Sequence, residues 1–172
     1  IVRIARKKRI LTIGNMSATL RTNLKKFSSS KILCTTEANL RSYMHDYENG
    51  LSVLVHEFYS KYDIPELYLQ LSDSSSLYFR PSKYTNMESF HIPPLLLKRE
   101  GNTGCQEAFI AGITLGRVSG MTETQAIYLG SIFSATYLNG RDEVLNMERV
   151  VQLINDRKEL NQTPADQKNA SH

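Results

Sequence analysis

The chain has no tryptophan, two cysteines and five prolines among 172 residues, and no apolar run reaching the ~18 residues of a membrane-spanning helix. A helical membrane protein is therefore excluded. Cys34 and Cys105 lie far apart, which excludes the dense disulfide framework of a small secreted domain and points to a reducing, intracellular compartment. The four scattered histidines lack the ligand spacing of a zinc site. Charge of one sign is scarce too: 21 Lys+Arg stand against 17 Asp+Glu, a net charge of +4. Apart from Arg6-Lys7-Lys8-Arg9, which reads as a solvated helix end, the excess is thinly spread and is not interleaved with aromatics. A nucleic-acid partner is not indicated. The opening lacks the long apolar region and cleavage site of a signal peptide. It begins at Ile1 in what reads as the last turns of a helix, as expected of a piece of something longer.

What is present is ordinary globular material: 41% apolar and 22% charged residues, enough for one domain with a core. Ile10-Leu11-Thr12-Ile13 reads as a short buried strand ended by Gly14-Asn15. A helix is expected over Ser17–Phe27, then a strand at Lys31–Cys34. Leu40, Tyr43, Met44 and Tyr47 recur at helical spacing, as do Leu51, Leu54, Val55, Phe58, Tyr59 and Tyr62 beyond the Asn49-Gly50 break. Leu67–Leu71 and Leu77–Phe79 predict an antiparallel pair joined by the turn Ser72-Asp73-Ser74-Ser75. Residues 81–103 read as the loosest part, with one strand near Phe90–Ile92. Two helices follow, over about Gly104–Val118 and Thr122–Leu138, the second opened by a Thr122/Gln125 capping box. A last helix is expected at Met147–Ile154, and the polar tail 156–172 reads as disordered. Strands alternating with amphipathic helices predict an α/β layered sheet with flanking helices over residues 1–155.

The most informative stretch is Gly101-Asn102-Thr103-Gly104-Cys105-Gln106-Glu107, followed by Ala108-Phe109-Ile110-Ala111-Gly112. It resembles the second signature of the ribokinase family of carbohydrate kinases, the phosphofructokinase-B group. That signature reads Asp-Thr-x-Gly-Ala-Gly-Asp and runs into a Phe-x-Ala/Ser-Gly helix. Leu71–Ser75 resembles the family's Leu-Gly-x-x-Gly turn. Ile32–Asn39 aligns with its Thr-Pro-Asn-x-x-Glu, and Gly130–Ala135 with its small-residue helix. Asp46–Leu51 and Tyr128–Ser131 are similar to the heptose-phosphate kinase branch.

The resemblance implies a ribokinase-like fold, seen as its C-terminal, nucleotide-side half. In the family, the turn before the helix presents backbone N–H groups to the transferred phosphate, and the final Asp takes the proton of the sugar hydroxyl. Carried over, Glu107 stands as the catalytic base, and Gly104, Cys105 and Gln106 as the anion hole. Ser72, Ser75, Gly130 and Ser134 fall on the nucleotide side, with ATP and Mg2+ as cofactors if the protein is active and none otherwise.

Each polar element departs from the family's pattern. Glu107 adds a methylene to the base, which positional catalysis tolerates poorly. Gln106 puts a side chain where the family has glycine, and Gly101 replaces the opening Asp. Ser72 and Ser75 replace turn glycines, while Thr36 and Asn39 replace the Asn and Glu that organise magnesium. Lys98 and Arg99, just upstream, keep phosphate binding open. For Glu107 the plainer reading is a carboxylate stabilised at a helix N-terminus. For Cys105 it is a small packed residue, and for His45, His56 and His91 surface histidines. The expectation is a kinase-fold protein that has lost phosphotransfer and serves as a binding or structural subunit. Its partner would be another protein or a missing N-terminal half, with a nucleotide as possible ligand. The competing expectation is an ATP-dependent sugar kinase using Glu107.

Overall fold

The computed structural model describes residues 4–5, 8, 10–16, 30–83, 86–95 and 104–139. Five strands form one sheet in chain order: β1 (Ile13–Met16), β2 (Ile32–Thr36), β3 (Glu66–Gln70), β4 (Ser76–Ser82) and β5 (Asn86–Ile92). The first three are parallel, and β4 and β5 continue as an antiparallel meander. Helices α1 (Glu37–Met44) and α2 (Leu51–Lys61) lie between β2 and β3, and α3 (Cys105–Val118) and α4 (Glu123–Asn139) follow β5.

Alternation along the strands divides the core in two. Leu33, Leu67, Leu69 and Phe79 point to the α1/α2 side and pack with Leu40, Leu54, Val55 and Phe58. Ile32, Cys34, Tyr68 and Tyr78 point to the α3/α4 side, against Phe109, Ile113 and Ile127. All five residues of β3 are buried because the sheet is covered on both faces there. Each fully buried large side chain contributes about 1.5–3 kcal/mol. The result is a three-layer α/β/α domain, as the alternation of strands and helices predicts. Among the described residues, no helix is long and apolar enough to cross a membrane.

Two local expectations are corrected. The first strand lies three residues further on than expected. Gly14 and Asn15 do not end it but sit inside it, opposite Leu33 and Cys34. Thr12 instead closes the entry, its carbonyl accepting from the N–H groups of Lys31 and Ile32 at 3.1 Å each. Residues 81–92 are also more regular than expected, because β4 runs through Pro81 and pairs it with Met87 of β5. Pairing with β3 stops at Phe79, so Pro81 lacks an N–H only where β4 has no neighbour on that side.

The helices fall largely where the apolar spacing puts them. However, α1 stops at Met44, closed by left-handed His45, so Tyr47 is exposed beyond it rather than on its buried stripe. Thr36 caps α1, its Oγ1 accepting from Asn39 N at 3.1 Å. The expected box opens α4: Gln125 N donates to Thr122 Oγ1 at 3.3 Å, and Thr122 N to Gln125 Oε1 at 3.0 Å. Ile4 and Ala5 are helical, in line with the helical opening. The helices expected at 17–27 and 147–154 and the polar tail lie outside the described residues, as do Lys98, Arg99 and Gly101.

Candidate functional site

Three parallel strands ending on one edge of a sheet place their C-terminal ends, and the helices that begin there, around a common crevice. Here β1 contributes Asn15 and Met16, β2 leads through Thr36 into α1, and β3 ends at Gln70 before the Leu71–Ser75 turn. The first turn of α3 comes to the same edge. It is preceded by Gly104 in a left-handed conformation (φ 87°) and has no side-chain cap. A cavity of about 480 Å³ opens between these pieces, with Thr36, Arg41, Gln70, Ser72, Cys105 and Gln106 in its wall.

The polar groups around this cavity are largely engaged with one another. Gln106 Nε2 donates to Asn15 Oδ1 at 2.7 Å and reaches the Met16 carbonyl at 3.5 Å. Asn39 Nδ2 donates to the same carbonyl at 3.3 Å and to Gln106 Oε1 at 3.4 Å. Thr35 Oγ1 adds a bond to Met16 O at 2.8 Å. Arg41 is tied to Glu37 at 2.8 Å and donates to the Asn49 carbonyl at 2.9 Å. Its charge is thus balanced within the wall. Gln70 Nε2 donates to Ser134 Oγ at 2.6 Å, which ties the end of β3 to α4.

The residues singled out from the sequence divide into three groups. Gly104, Cys105, Gln106 and Ser72 meet at the cavity or its rim, and Cys105 is buried there. Glu107 is exposed in the first turn of α3, outside the cavity wall. Ser75, Gly130 and Ser134 lie behind the site. Ser75 is buried in its turn, its N–H and hydroxyl donating to Asp73 Oδ1 at 2.8 and 2.6 Å. Gly130 forms the contact between α4 and α3, where a Cβ would meet Ile113 Cγ1 at 2.8 Å and the Phe109 carbonyl at 2.9 Å. Ser134 is a buried acceptor for Gln70. The other cysteine, Cys34, sits under the sheet, where burial and then the Glu66 carboxylate push its thiol far up.

Three residues at this edge escaped the sequence reading, Gln70 and Arg41 in the wall and Asn15 behind Gln106. Asn15 was hidden by the misplaced end of β1. Gln70 carried a signal, as a polar residue closing an otherwise apolar strand. Arg41 stands four residues after Glu37, the spacing of a helical ion pair. His45, His56 and His91 are exposed, as expected of surface histidines. Among the described residues no group of three or more His, Cys, Asp or Glu is placed to hold a metal ion.

No family model and no curated protein matches the sequence. Solved structures do. Ribokinase from Thermotoga maritima superposes with a TM-score of 0.73 at 14% identity, covering 90% of this chain and 52% of its own. Adenosine kinase from Sinorhizobium meliloti gives 0.73 at 14% identity over 89% of this chain and 47% of its own. A candidate ribokinase II from Escherichia coli, solved with ATP and Mg2+, gives 0.70 at 12% identity over 90% and 52%. The chain spans about half the length of the structures it matches. Its five-stranded sheet with flanking helices is a ribokinase-like α/β fold.

Proposed function

We propose that this chain is the C-terminal, nucleotide-side part of a carbohydrate-kinase-fold protein, nearest the heptose-phosphate branch, that has given up phosphotransfer for a binding or structural role. The observation that carries this reading is the neutrality of the cavity. The positions aligned with the family's magnesium-side Asn and Glu are Thr36 and Asn39, and both are spent inside the protein, on the α1 cap and on Met16 and Gln106. Among the described residues, the one cation in the wall, Arg41, is paired with Glu37. Phosphoryl transfer depends on pre-positioned positive charge and metal around the moving phosphate, and the described residues of this wall offer little of either.

The solved ribokinase II candidate with ATP and Mg2+ shows what such a fold can hold. The residues here fit a metal poorly, since amides and a capping hydroxyl replace the carboxylate. A thermal-shift titration of the full-length protein with ATP, with and without Mg2+, tests the reading. The expected result is no magnesium-dependent rise in melting temperature at millimolar ATP. A saturable, magnesium-dependent rise overturns it.

One observation favours the competing kinase reading. Glu107 is exposed beside the left-handed Gly104 at an uncapped helix start, a place from which a carboxylate reaches solvent and substrate. A sugar-phosphate phosphorylation assay that is lost in Glu107→Gln would establish it.

A further inference from the structure

Three carboxylates and two guanidinium groups form a chain of ion pairs at the start of β3. Glu66 is held by Arg117 at 3.0 Å, Arg117 by Glu123 at 3.2 Å, Glu123 by Arg80 at 3.8 Å, and Arg80 by Glu88 at 2.6 Å. Arg117 lies in the last turn of α3 and Glu123 in the first turn of α4. Arg80 and Glu88 sit opposite each other on β4 and β5. The pairs therefore fasten the α3–α4 turn to the sheet. Among the described residues this set is one positive charge short. Glu66 is the carboxylate least able to bear the deficit, because its side chain is 9% exposed against 29% for Glu123 and 35% for Glu88. A buried acid without a full counter-charge favours its neutral form.

The other groups acting on Glu66 do not make up the missing charge. Lys31, ahead of β2, acts from an exposed position. Cys34 of β2, Tyr59 of α2 and Tyr78 of β4 feel the Glu66 charge, and burial pushes each of them far up, so they stay neutral. Tyr68 donates its hydroxyl to Glu66 at 3.2 Å. The Tyr78 hydroxyl is fully buried, on a ring whose centroid is 4.9 Å from that of Tyr68, and has no hydrogen-bond partner among the described residues. Glu123 adds repulsion and stays ionised, since a backbone N–H and Arg117 hold its carboxyl below the usual range.

We propose that this cluster is a proton-operated clasp. With a proton on Glu66, the two guanidinium groups balance the two remaining carboxylates and hold the α3–α4 turn on β3. Loss of that proton leaves a surplus negative charge at the edge of the sheet, and the turn opens to hydrate it. Burial raises the Glu66 pKa against the pull of Arg117, so the closed clasp holds the proton more tightly than the open one. Closure is strongest below the ordinary glutamate value of about 4.3 and weakens as pH rises to the raised value. The clasp is at the other end of α3 from the cavity and does not depend on whether phosphotransfer has been given up.

The test is amide hydrogen exchange of the full chain upward from about pH 4, with intrinsic exchange divided out. The reporter is the Met121 amide, bonded across the α3–α4 turn to the Gly116 carbonyl at 2.9 Å. Its protection should fall by up to about tenfold per pH unit and then level off, since opening releases one proton. Throughout, it should stay below the protection of the slowest α2 amides, the mark of a turn that opens alone. Glu66→Gln should abolish the fall. Glu123→Gln, which removes the surplus carboxylate, should bring the levelling-off to lower pH. Carbon-13 titration of the Glu66 carboxyl in the natural chain needs no variant to fold, and its midpoint should lie above about 4.3. An ordinary midpoint, or the same fall in Glu66→Gln, overturns the proposal. Met121 protection equal to that of the slowest α2 amides at every pH overturns it as well, because the turn then opens only by global unfolding.

Discussion

Gly112 of α3 and Gly130 of α4 are in backbone contact: a Cβ on Gly112 would lie 2.7 Å from both the Gly130 Cα and the Leu129 carbonyl oxygen. Neither atom belongs to a flexible side chain, so the helices themselves would have to part. Gly112→Ala is therefore expected to destabilise the fold by about 2 kcal/mol, overpacking outweighing the gain in helix propensity. Urea denaturation of the variant beside the natural chain checks this. An unchanged midpoint would show that the two helices separate freely.

Glu66, at the start of β3, is buried and held by Arg117 at 3.0 Å and by the Tyr68 hydroxyl at 3.2 Å. Arg117 continues to Glu123 at 3.2 Å, so the pair joins β3 to the end of α3 and the start of α4. Arg117→Ala would leave Glu66 charged and unpaired, at a cost of about 3 kcal/mol. The exposed Glu57–Lys61 pair on α2 provides the contrast, since Lys61→Ala should cost less than about 1 kcal/mol.

The same carboxylate has a pH signature. Burial raises the Glu66 pKa above the ordinary range, outweighing the opposite pull of Arg117 and the Tyr68 hydroxyl. The folded protein thus holds this proton more tightly than the unfolded chain. Its contribution to stability is present below the unfolded value of about 4.3 and is lost as pH rises through the raised folded value. Glu66→Gln removes that slope. Unfolding free energies of both proteins, measured in steps upward from pH 4, should show the natural chain losing ground to the variant.

In the β3–β4 turn, Asp73 Oδ1 accepts from the N–H and the hydroxyl of Ser75, and Ser74 between them is left-handed at φ 70°. The Ser75 bonds, side chain first and backbone second, hold the Asp73 carboxyl below its usual range. The stability it brings is present above the unfolded pKa and is lost as pH falls through the depressed folded one. Asp73→Ala should lower the protection factor of the Ser75 amide at neutral pH. Acidification through the depressed Asp73 pKa should lower it in the natural chain, once the slower intrinsic exchange at low pH is divided out. Exchange that ignores both changes would mean that the Ser75 amide is protected by something else.

Gly104 holds φ 87°, and a Cβ there would fall 2.5 Å from the Tyr137 ring. The ring end belongs to a half-exposed side chain that can swing aside, whereas the backbone conformation cannot change without moving α3. Gly104→Ala should cost about 1–2 kcal/mol from the left-handed backbone. Adding Tyr137→Ala should recover little of it. Full recovery in the double variant would assign the cost to the clash.

The layered fold was readable from particular residues. Leu40, Leu54, Val55 and Phe58 lie at helical spacing and are all fully buried. The Thr122/Gln125 spacing gave the start of α4 to within a residue. What escaped depended on pairing across long sequence separations. Gly14 and Asn15 look like terminators locally, and only the register with β2 carries the strand through them. Pro81 looks like a break, yet it lies where β4 has a single neighbour. At the site, the sequence placed Gly104, Cys105, Gln106 and Ser72 together through the family resemblance. It could not show that Gln106 reaches Asn15, 91 positions away, because side-chain direction follows from the packing of three elements at once.

The order of strands in the sheet is the order of strands in the chain. Among the described residues, every strand after β1 is added at the outer edge of the one before it, and none has to be slipped between two already paired. Among those residues, the sheet can therefore be extended in one direction, each strand pairing with the one that precedes it in the chain. The parallel pairs, which need a crossover before they can close, come first. The local pieces, the β3–β4–β5 meander and the α3–α4 hairpin, follow these pairs and close the far side of the core quickly. This order of assembly requires no rearrangement of strands already laid down.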